Sequence, residues 1–500
     1  MNNDTKKTLV TSLVLQIITI ICGFILPRLI LQSFGSVYNG IVNSVNQFLS
    51  CVTLLRAGIG GVTRAALYKP LEENDTNKIS AIVNASEKFM RKIAGIFVIL
   101  LVIFAMIYPL FVKEDFTWLF AFSLVLILGI STVAQYYFGI TYQFLLHADQ
   151  KLYVYNFLQI IATILNTIVA VGLIKVGADI RTVKLGSAIV FGLTPICLYI
   201  YAQKHYCINK KIKPDMGTIG QRWDAFAHQI AAFVHTNTDI VILTIFSNLY
   251  EVSVYSVYNL VIYGVKQLIY TCSNAIEALL GRIMAQKKKG QLEKSISNYE
   301  YVINILSTIL LSCTALLVVP FIMIYTDGVH DTNYNRPLFA YLLSIATFLS
   351  CIRLPYQNTV EAAGQFKQTR NGAIQEAIIN IVISIVLVKK FGCIGVAIGT
   401  IVAMAFRTIQ YADYVSRQMI NRPRIEYLKR ILVSICTFIV IIIIYVKIGG
   451  DKIVLGATSY LIWIKMAIPI FIVITCFVFV VNFVFYPKLT REIFQELKNK

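Results

Sequence analysis

Long apolar runs separated by short polar stretches fill this sequence from end to end. A hydrocarbon core of about 30 Å needs roughly 20 apolar residues in helical form. Fourteen runs meet that requirement, at 8–32, 38–65, 91–112, 117–146, 153–175, 182–206, 224–247, 252–284, 300–325, 337–362, 371–389, 393–416, 429–447 and 459–486. The pattern predicts an all-α polytopic membrane protein of about 14 transmembrane helices. The first run is too long for a cleaved signal peptide and no small-residue cleavage site follows it, so it reads as a span.

The basic residues supply an independent check, because Lys and Arg accumulate in cytoplasmic loops. With the N-terminus placed in the cytoplasm, alternate loops carry 29 Lys and Arg on the inside and 9 on the outside, and the remaining seven lie within spans. A missed span would have mixed the two classes. Both termini are therefore expected on the cytoplasmic side. The loops are short, which leaves any function to the helix bundle itself.

Composition agrees. Apolar types make up 57% of the 500 residues and charged types 14%, against about 45–50% and about 25% in soluble chains. Mean hydropathy is +0.71. A soluble enzyme, a disordered scaffold and a disulfide-stapled secreted protein are excluded. The formal charge of +20 would suggest nucleic acid in a soluble chain. Here it marks topology and attraction to anionic membrane lipids, and no nucleic-acid partner is expected. The ten cysteines are scattered without a C-x-x-C spacing, so neither a metal site nor a disulfide framework is indicated.

An internal repeat is present. Ala148-x-Gln150 and Lys175-x-Gly177 return 215 residues later as Ala363-x-Gln365 and Lys390-x-Gly392. Val37-Tyr38 and Ile79-Ser80 return 217 later as Val254-Tyr255 and Ile296-Ser297. The offset equals six spans, so the two copies have the same orientation, as in transporters built from parallel repeats. The expected organisation is a six-helix bundle at 1–207, a cytoplasmic linker at 208–223, a second bundle at 224–418, and two additional spans with a cytoplasmic tail at 419–500.

Ionisable residues at membrane depth are costly and point to function. The spans contain Arg28, Arg56, Arg64, Asp239, Lys266, Glu277, Arg353, Glu361, Arg407 and Lys465. Arg64, Glu361 and Arg407 lie near cytoplasmic ends and are expected to snorkel. Arg28 follows Pro27. Span 2 carries Asn39, Asn43, Asn46, Gln47, Ser50 and Thr53 along one side, which should line a wet cavity. Lys266 and Glu277 share a face of span 8. The substrate-binding candidates are Arg28, Arg56, Lys266, Arg353, Asn43 and Gln47. Guanidinium forks and an ammonium around one cavity suit a polyanion such as phosphate. A stripe of Asp224, His228, His235 and Asp239 in span 7 offers proton or cation coupling, with Asp239, His235 and Glu277 as the candidate coupling groups. No third ligand joins the two histidines as a metal site. No P-loop, H-E-x-x-H or G-x-S-x-G motif occurs, so the chain is read as a transporter and not an enzyme.

The segments FGSVYNGIVNSVNQFL (34–49), RAGIGGVTRAALYKPL (56–71), HADQKLYV (147–154) and NTDIVILTIFSNLYEVSVYSVYNL (237–260) give the chain a family resemblance. It resembles the polysaccharide and oligosaccharide-lipid flippases of the multidrug/oligosaccharidyl-lipid/polysaccharide exporter superfamily. The resemblance implies fourteen helices in two equivalent bundles. It implies movement of an undecaprenyl-diphosphate-linked oligosaccharide from the inner to the outer leaflet of the bacterial plasma membrane. It further implies that Arg28, Arg56 and Lys266 hold the diphosphate, Lys266 standing where an Arg would be expected. A polysaccharide polymerase and a chain-length regulator are the protein partners it suggests. No cofactor is expected beyond a coupling ion, Na+ or H+. The competing readings are a cation-coupled drug exporter of the same superfamily and a membrane glycan polymerase or ligase. The first prefers acidic, aromatic cavities; the second needs a larger extramembrane segment than these loops offer.

Overall fold

The computed structural model describes residues 3–50, 59–215, 237–285, 289–363, 365–450 and 458–498. All regular structure among them is helical. Eleven of the described helical stretches are long and apolar enough to cross a bilayer, and the chain is a multi-pass membrane protein. Large apolar side chains such as Ile17, Ile99, Ile168 and Val386 are exposed. Their exposure is stable only against acyl chains, which take the place of a protein core on the outside of the bundle.

The chain divides into two compact units, Met1–Ser253 and Val254–Lys500. The first contains α1 (Asn3–Phe34), α2 (Ser36–Ser50), α3 (Ile59–Glu72), α4 (Thr76–Ile107), α5 (Trp118–Ala134), α6 (Ile140–Ala148), α7 (Leu152–Lys175) and α8 (Ile180–His205). It also takes in the short α9 (Asn237–Phe246) and the first residues of α10 (Leu249–Ala285). A π turn at Gln135–Gly139 joins α5 to α6. The second unit holds the rest of α10, then α11 (Lys289–Tyr325), α12 (Pro337–Ile352), α13 (Leu354–Ala362), α14 (Phe366–Phe391) and α15 (Cys393–Tyr414). It ends with α16 (Arg424–Lys447), α17 (Tyr460–Phe485) and α18 (Pro487–Lys498).

Three of the fourteen expected spans are not among the eleven. The runs at 38–65 and 224–247 each include residues outside the described set. The run at 252–284 lies in α10, where Lys266, Glu277 and several Ser, Asn and Tyr residues hold the apolarity down.

The repeat is visible in the packing. In the first unit α4 lies on α5, α5 on α8, and α7 on α8. In the second α11 lies on α12, α12 on α15, and α14 on α15, which is the same neighbour order six spans on. The added pair, α16 and α17, packs against α11. The apolar window of α11 is consequently 78% buried, against 6% for that of α1.

Each unit also ties the segment after its sixth span back onto its third. In the first, Asn84 Nδ2 donates to the carbonyls of Asn209 (2.9 Å) and Ile212 (3.1 Å). Asn209 N donates to Ser80 Oγ at 3.0 Å, and Lys210 pairs with the buried Glu87. Burial opposes the Lys210 charge, but its bonds to Glu87 and Tyr142 outweigh burial and hold it protonated above the ordinary lysine range. That contribution is present below the ordinary lysine pKa and is lost as pH rises through the raised value. In the second unit the bidentate fork of Arg422 meets Glu300 at 2.7 and 2.8 Å. Arg430 bonds the same carboxylate at 2.6 Å and Ser297 Oγ at 2.8 Å. Ser80 and Ser297 are a repeat-related pair.

α14 and α15 pack closely on each other. Gly392, at φ 53° and ψ −129°, turns the chain between them, in a region that L side chains rarely adopt. Small residues then let the two backbones approach. A Cβ on Gly399 would lie 2.9 Å from the backbone nitrogen of Ser384 and would also collide with that serine's hydroxyl. Gly399→Ala should therefore force the helices apart, at about 1–3 kcal/mol. A drop of several degrees in the unfolding midpoint of the detergent-purified protein is expected. An unchanged midpoint would contradict the close approach.

Candidate functional site

The expected substrate cations were in spans 1, 2, 8 and 10. Pro27 interrupts the α1 hydrogen-bond ladder, and Arg28, one residue on, is half-buried. Arg56 and His235 lie outside the described residues, as do Asp224, His228 and the side chain of Glu277. Asp239, on α9, is half-buried.

The polar side of α2 is used for helix packing. Asn39 Nδ2 donates to Ser253 Oγ at 2.8 Å. Asn43 Nδ2 donates to the carbonyl of Asn39 at 2.8 Å and to its Oδ1 at 3.1 Å. Ser44 accepts from Thr244 Oγ1 and Tyr108 OH, each at 2.9 Å. Gln47 donates to Asn237 Oδ1. The stripe was expected to line a wet cavity. Asn39, Ser44 and Gln47 fasten α9 and the start of α10 to α2, while Asn43 bonds within its own helix. Asn46 is the exposed member.

In the second unit Lys266 is half-buried, with its Nζ 5.3 Å from the centroid of the Tyr270 ring one turn along α10. A cation above an aromatic face leaves ammonium donors for a further acceptor. Tyr270 packs on a core that includes Cys351, Ile352, Met404 and Tyr411, which places it beside the neighbourhood of Arg353.

Arg353 sits at the break between α12 and α13. Pro355, lacking an N–H, cannot donate to the Cys351 carbonyl, and the ladder of α13 starts at the Arg353 carbonyl, which accepts from the backbone nitrogens of Tyr356 and Gln357 at 3.0 Å each. Its side chain is buried. Arg353 Nη1 pairs with Glu376 Oε1 at 2.7 Å, and Arg407 Nε faces Glu376 Oε2 at 3.4 Å. Arg407 also donates to the Thr369 carbonyl at 2.9 Å and to Gln410 Oε1 at 2.5 Å, with its guanidinium 4.0 Å from the Tyr411 ring centroid. Arg407 thus does not snorkel: its side chain is 4% exposed, because Glu376 and a backbone carbonyl satisfy it inside the bundle. Arg353 is thus paired with Glu376.

Glu376 was missed in the sequence. An ionisable residue inside the apolar run at 371–389 was the available signal, and it carries the expectation of a nearby cation. Glu300 was legible by the same rule, at the start of span 9. Next to the triad, Ser384 Oγ donates to Asn380 Oδ1 at 3.0 Å, and Thr400 Oγ1 donates to the Val396 carbonyl at 3.1 Å, so the α14–α15 seam is polar over two turns.

No protein-family model and no curated protein matches the chain. Solved membrane transporters do. A lipid II flippase, MurJ, in an inward closed conformation superposes with a TM-score of 0.71 at 16% identity, over 97% of this chain and 99% of that one. An inward-facing multidrug resistance transporter of the MATE family, in the MOP superfamily, gives 0.63 at 11% identity, over 80% and 95%. A Vibrio cholerae MATE transporter, VcmN, crystallised as a mutant, gives 0.56 at 11%, over 83% and 98%. The chain shares their fold. The all-α polytopic membrane architecture expected from the sequence is the one observed, and the chain divides into units at 253/254.

The triad predicts its own mutational signature. Removing the carboxylate of a buried ion pair leaves uncompensated charge, which costs about 3–5 kcal/mol. Glu376→Gln should lower the unfolding midpoint markedly. The triple replacement Arg353→Met, Glu376→Leu, Arg407→Met should recover most of the loss, because it removes both charge signs together. Equal midpoints for Glu376→Gln and the unaltered protein would contradict the pairing.

Proposed function

We propose that the chain is a flippase that moves an undecaprenyl-diphosphate-linked oligosaccharide from the inner to the outer leaflet of the bacterial plasma membrane. The observation that carries this reading is the extent of the likeness. The lipid II flippase fold accounts for 97% of the chain, whereas the two MATE transporters described above account for 80% and 83%. The chemistry supports it. A drug exporter for organic cations is served by carboxylates, but Arg28 and Lys266 place cations at half-buried, membrane-embedded positions. A diphosphate is the part of a lipid-linked glycan that such groups recognise, the guanidinium as a fork and the ammonium as a point charge.

In this reading Arg28, Lys266 and Arg56 engage the diphosphate. Asp239, with His235 and Glu277, couples movement to Na+ or H+. The two repeats supply alternating access by rocking, as in other transporters built from parallel repeats. Partner proteins would be a polysaccharide polymerase and a chain-length regulator.

Proteoliposomes loaded with a fluorescent undecaprenyl-diphosphate oligosaccharide test the cations. Arg28→Ala and Lys266→Ala should each cut the rate of headgroup appearance on the far side by at least about tenfold, the scale of one charge-assisted bond, with normal incorporation into the membrane. Rates equal to the unaltered protein would remove these residues from the site. Asp239→Asn should slow turnover more than binding and flatten its dependence on pH and sodium. An unchanged dependence would take Asp239 out of coupling.

A further inference from the structure

The first unit contains a cavity that none of these roles uses. It measures about 220 Å³ and lies among α5, the π turn, α6, α7 and α8, lined by Ser131, Gln135, Gln143, Tyr155, Gln159 and Thr194 together with apolar side chains. Ser131 to Gln143 covers about 18 Å of helix, so the cavity runs from near the α6–α7 turn toward the middle of the bilayer. Two features hold it open. The π turn at Gln135–Gly139 widens the helix where the amides emerge. Gly139 packs directly on Pro195, where an added Cβ would come within 3.0 Å of the proline Cα.

Its polar groups are under-used. Gln159 Nε2 donates to Tyr155 OH at 3.2 Å. The side-chain amides of Gln135 and Gln143 bond no described residue. Both amides are half-buried and face the cavity, where only water or a polar occupant can satisfy them. Among the described residues, the lining carries no charged side chain, which does not suit a diphosphate or a metal ion. An apolar occupant would leave the amides unsatisfied.

The second unit differs at the corresponding sequence positions. A shift of 215 residues carries 131–143 onto 346–358, 155–159 onto 370–374 and 191–198 onto 406–413, and Phe191 and Tyr199 return as Phe406 and Tyr414. Arg353 and Arg407 fall within those ranges and Glu376 lies two residues past the second. In the register of the repeat, the second unit therefore carries an ion triad where the first carries amides and a cavity.

We propose that this cavity is a subsite for one uncharged sugar ring of the transported glycan. The amides of Gln135, Gln143 and Gln159 would pair with ring hydroxyls and Tyr155 would flank the ring. The inference rests on the flippase reading and adds to it a point of sugar recognition within the first bundle.

The test uses the full chain in lipid nanodiscs and measures binding of undecaprenyl diphosphate, bare or carrying a disaccharide headed by glucose, galactose or N-acetylglucosamine. The unaltered protein should bind at least one disaccharide probe more tightly than the bare lipid. The double variant Gln135→Leu, Gln143→Leu keeps the side-chain size and should weaken that probe roughly tenfold while leaving the bare lipid unchanged. Retained binding of the bare lipid also shows that the variant is folded. Equal affinity of variant and unaltered protein for every disaccharide probe, or an equal loss on sugar-bearing and bare lipid, would overturn the subsite and leave the flippase reading standing. Failure of the unaltered protein to bind any of the probes would overturn both.

Discussion

Hydrocarbon offers no partner to a polar group, and this constraint organises the molecule. Each polar side chain that the bundle takes below its surface needs a donor, an acceptor or an opposite charge from the protein itself. The result is a set of discrete ties: Glu87 with Lys210 and Arg91, Glu300 with Arg422 and Arg430, Glu376 with Arg353 and Arg407, and the amide seam of α2. Apolar contacts between helices give little net attraction in lipid, where acyl chains are equally apolar. These polar ties, with the small-residue packing of α14 on α15, set which helices are neighbours.

The duplication shows how one architecture serves two purposes. In both units a glutamate on the third span receives a cation from the segment after the sixth. Between the fourth, fifth and sixth spans the copies diverge. In the register of the repeat, the second unit carries an arginine–glutamate–arginine triad, while the first carries amides and a cavity. An ion triad locks helices together, and an open amide-lined cavity can exchange its contents.

Much of the fold was legible because the spanning pattern and the loop charges are dictated by the bilayer itself, and the 215–217 offset exposed the repeat. The polar groups were less legible. Arg353 and Arg407 look in sequence like Arg28 and Lys266, but they are consumed by Glu376. Which cation finds a carboxylate depends on a residue 23 positions away on another helix, and no spacing rule reveals that. The amides of span 2 were readable as polar and one-sided, yet a packing seam and a wet wall share that signature. Gln135, Gln143 and Gln159 drew no attention, because only the π turn and the packing of Gly139 on Pro195 bring them to one cavity.

The most direct measurement of the central claim is a paired transport assay on the purified, unaltered protein in sealed proteoliposomes. One population carries an undecaprenyl-diphosphate oligosaccharide and the other an organic cation typical of drug exporters. The account predicts that the protein exposes the glycan headgroup on the opposite leaflet far faster than protein-free vesicles do, while the cation does not cross. Transport of the cation with no acceleration of the glycan lipid would contradict it.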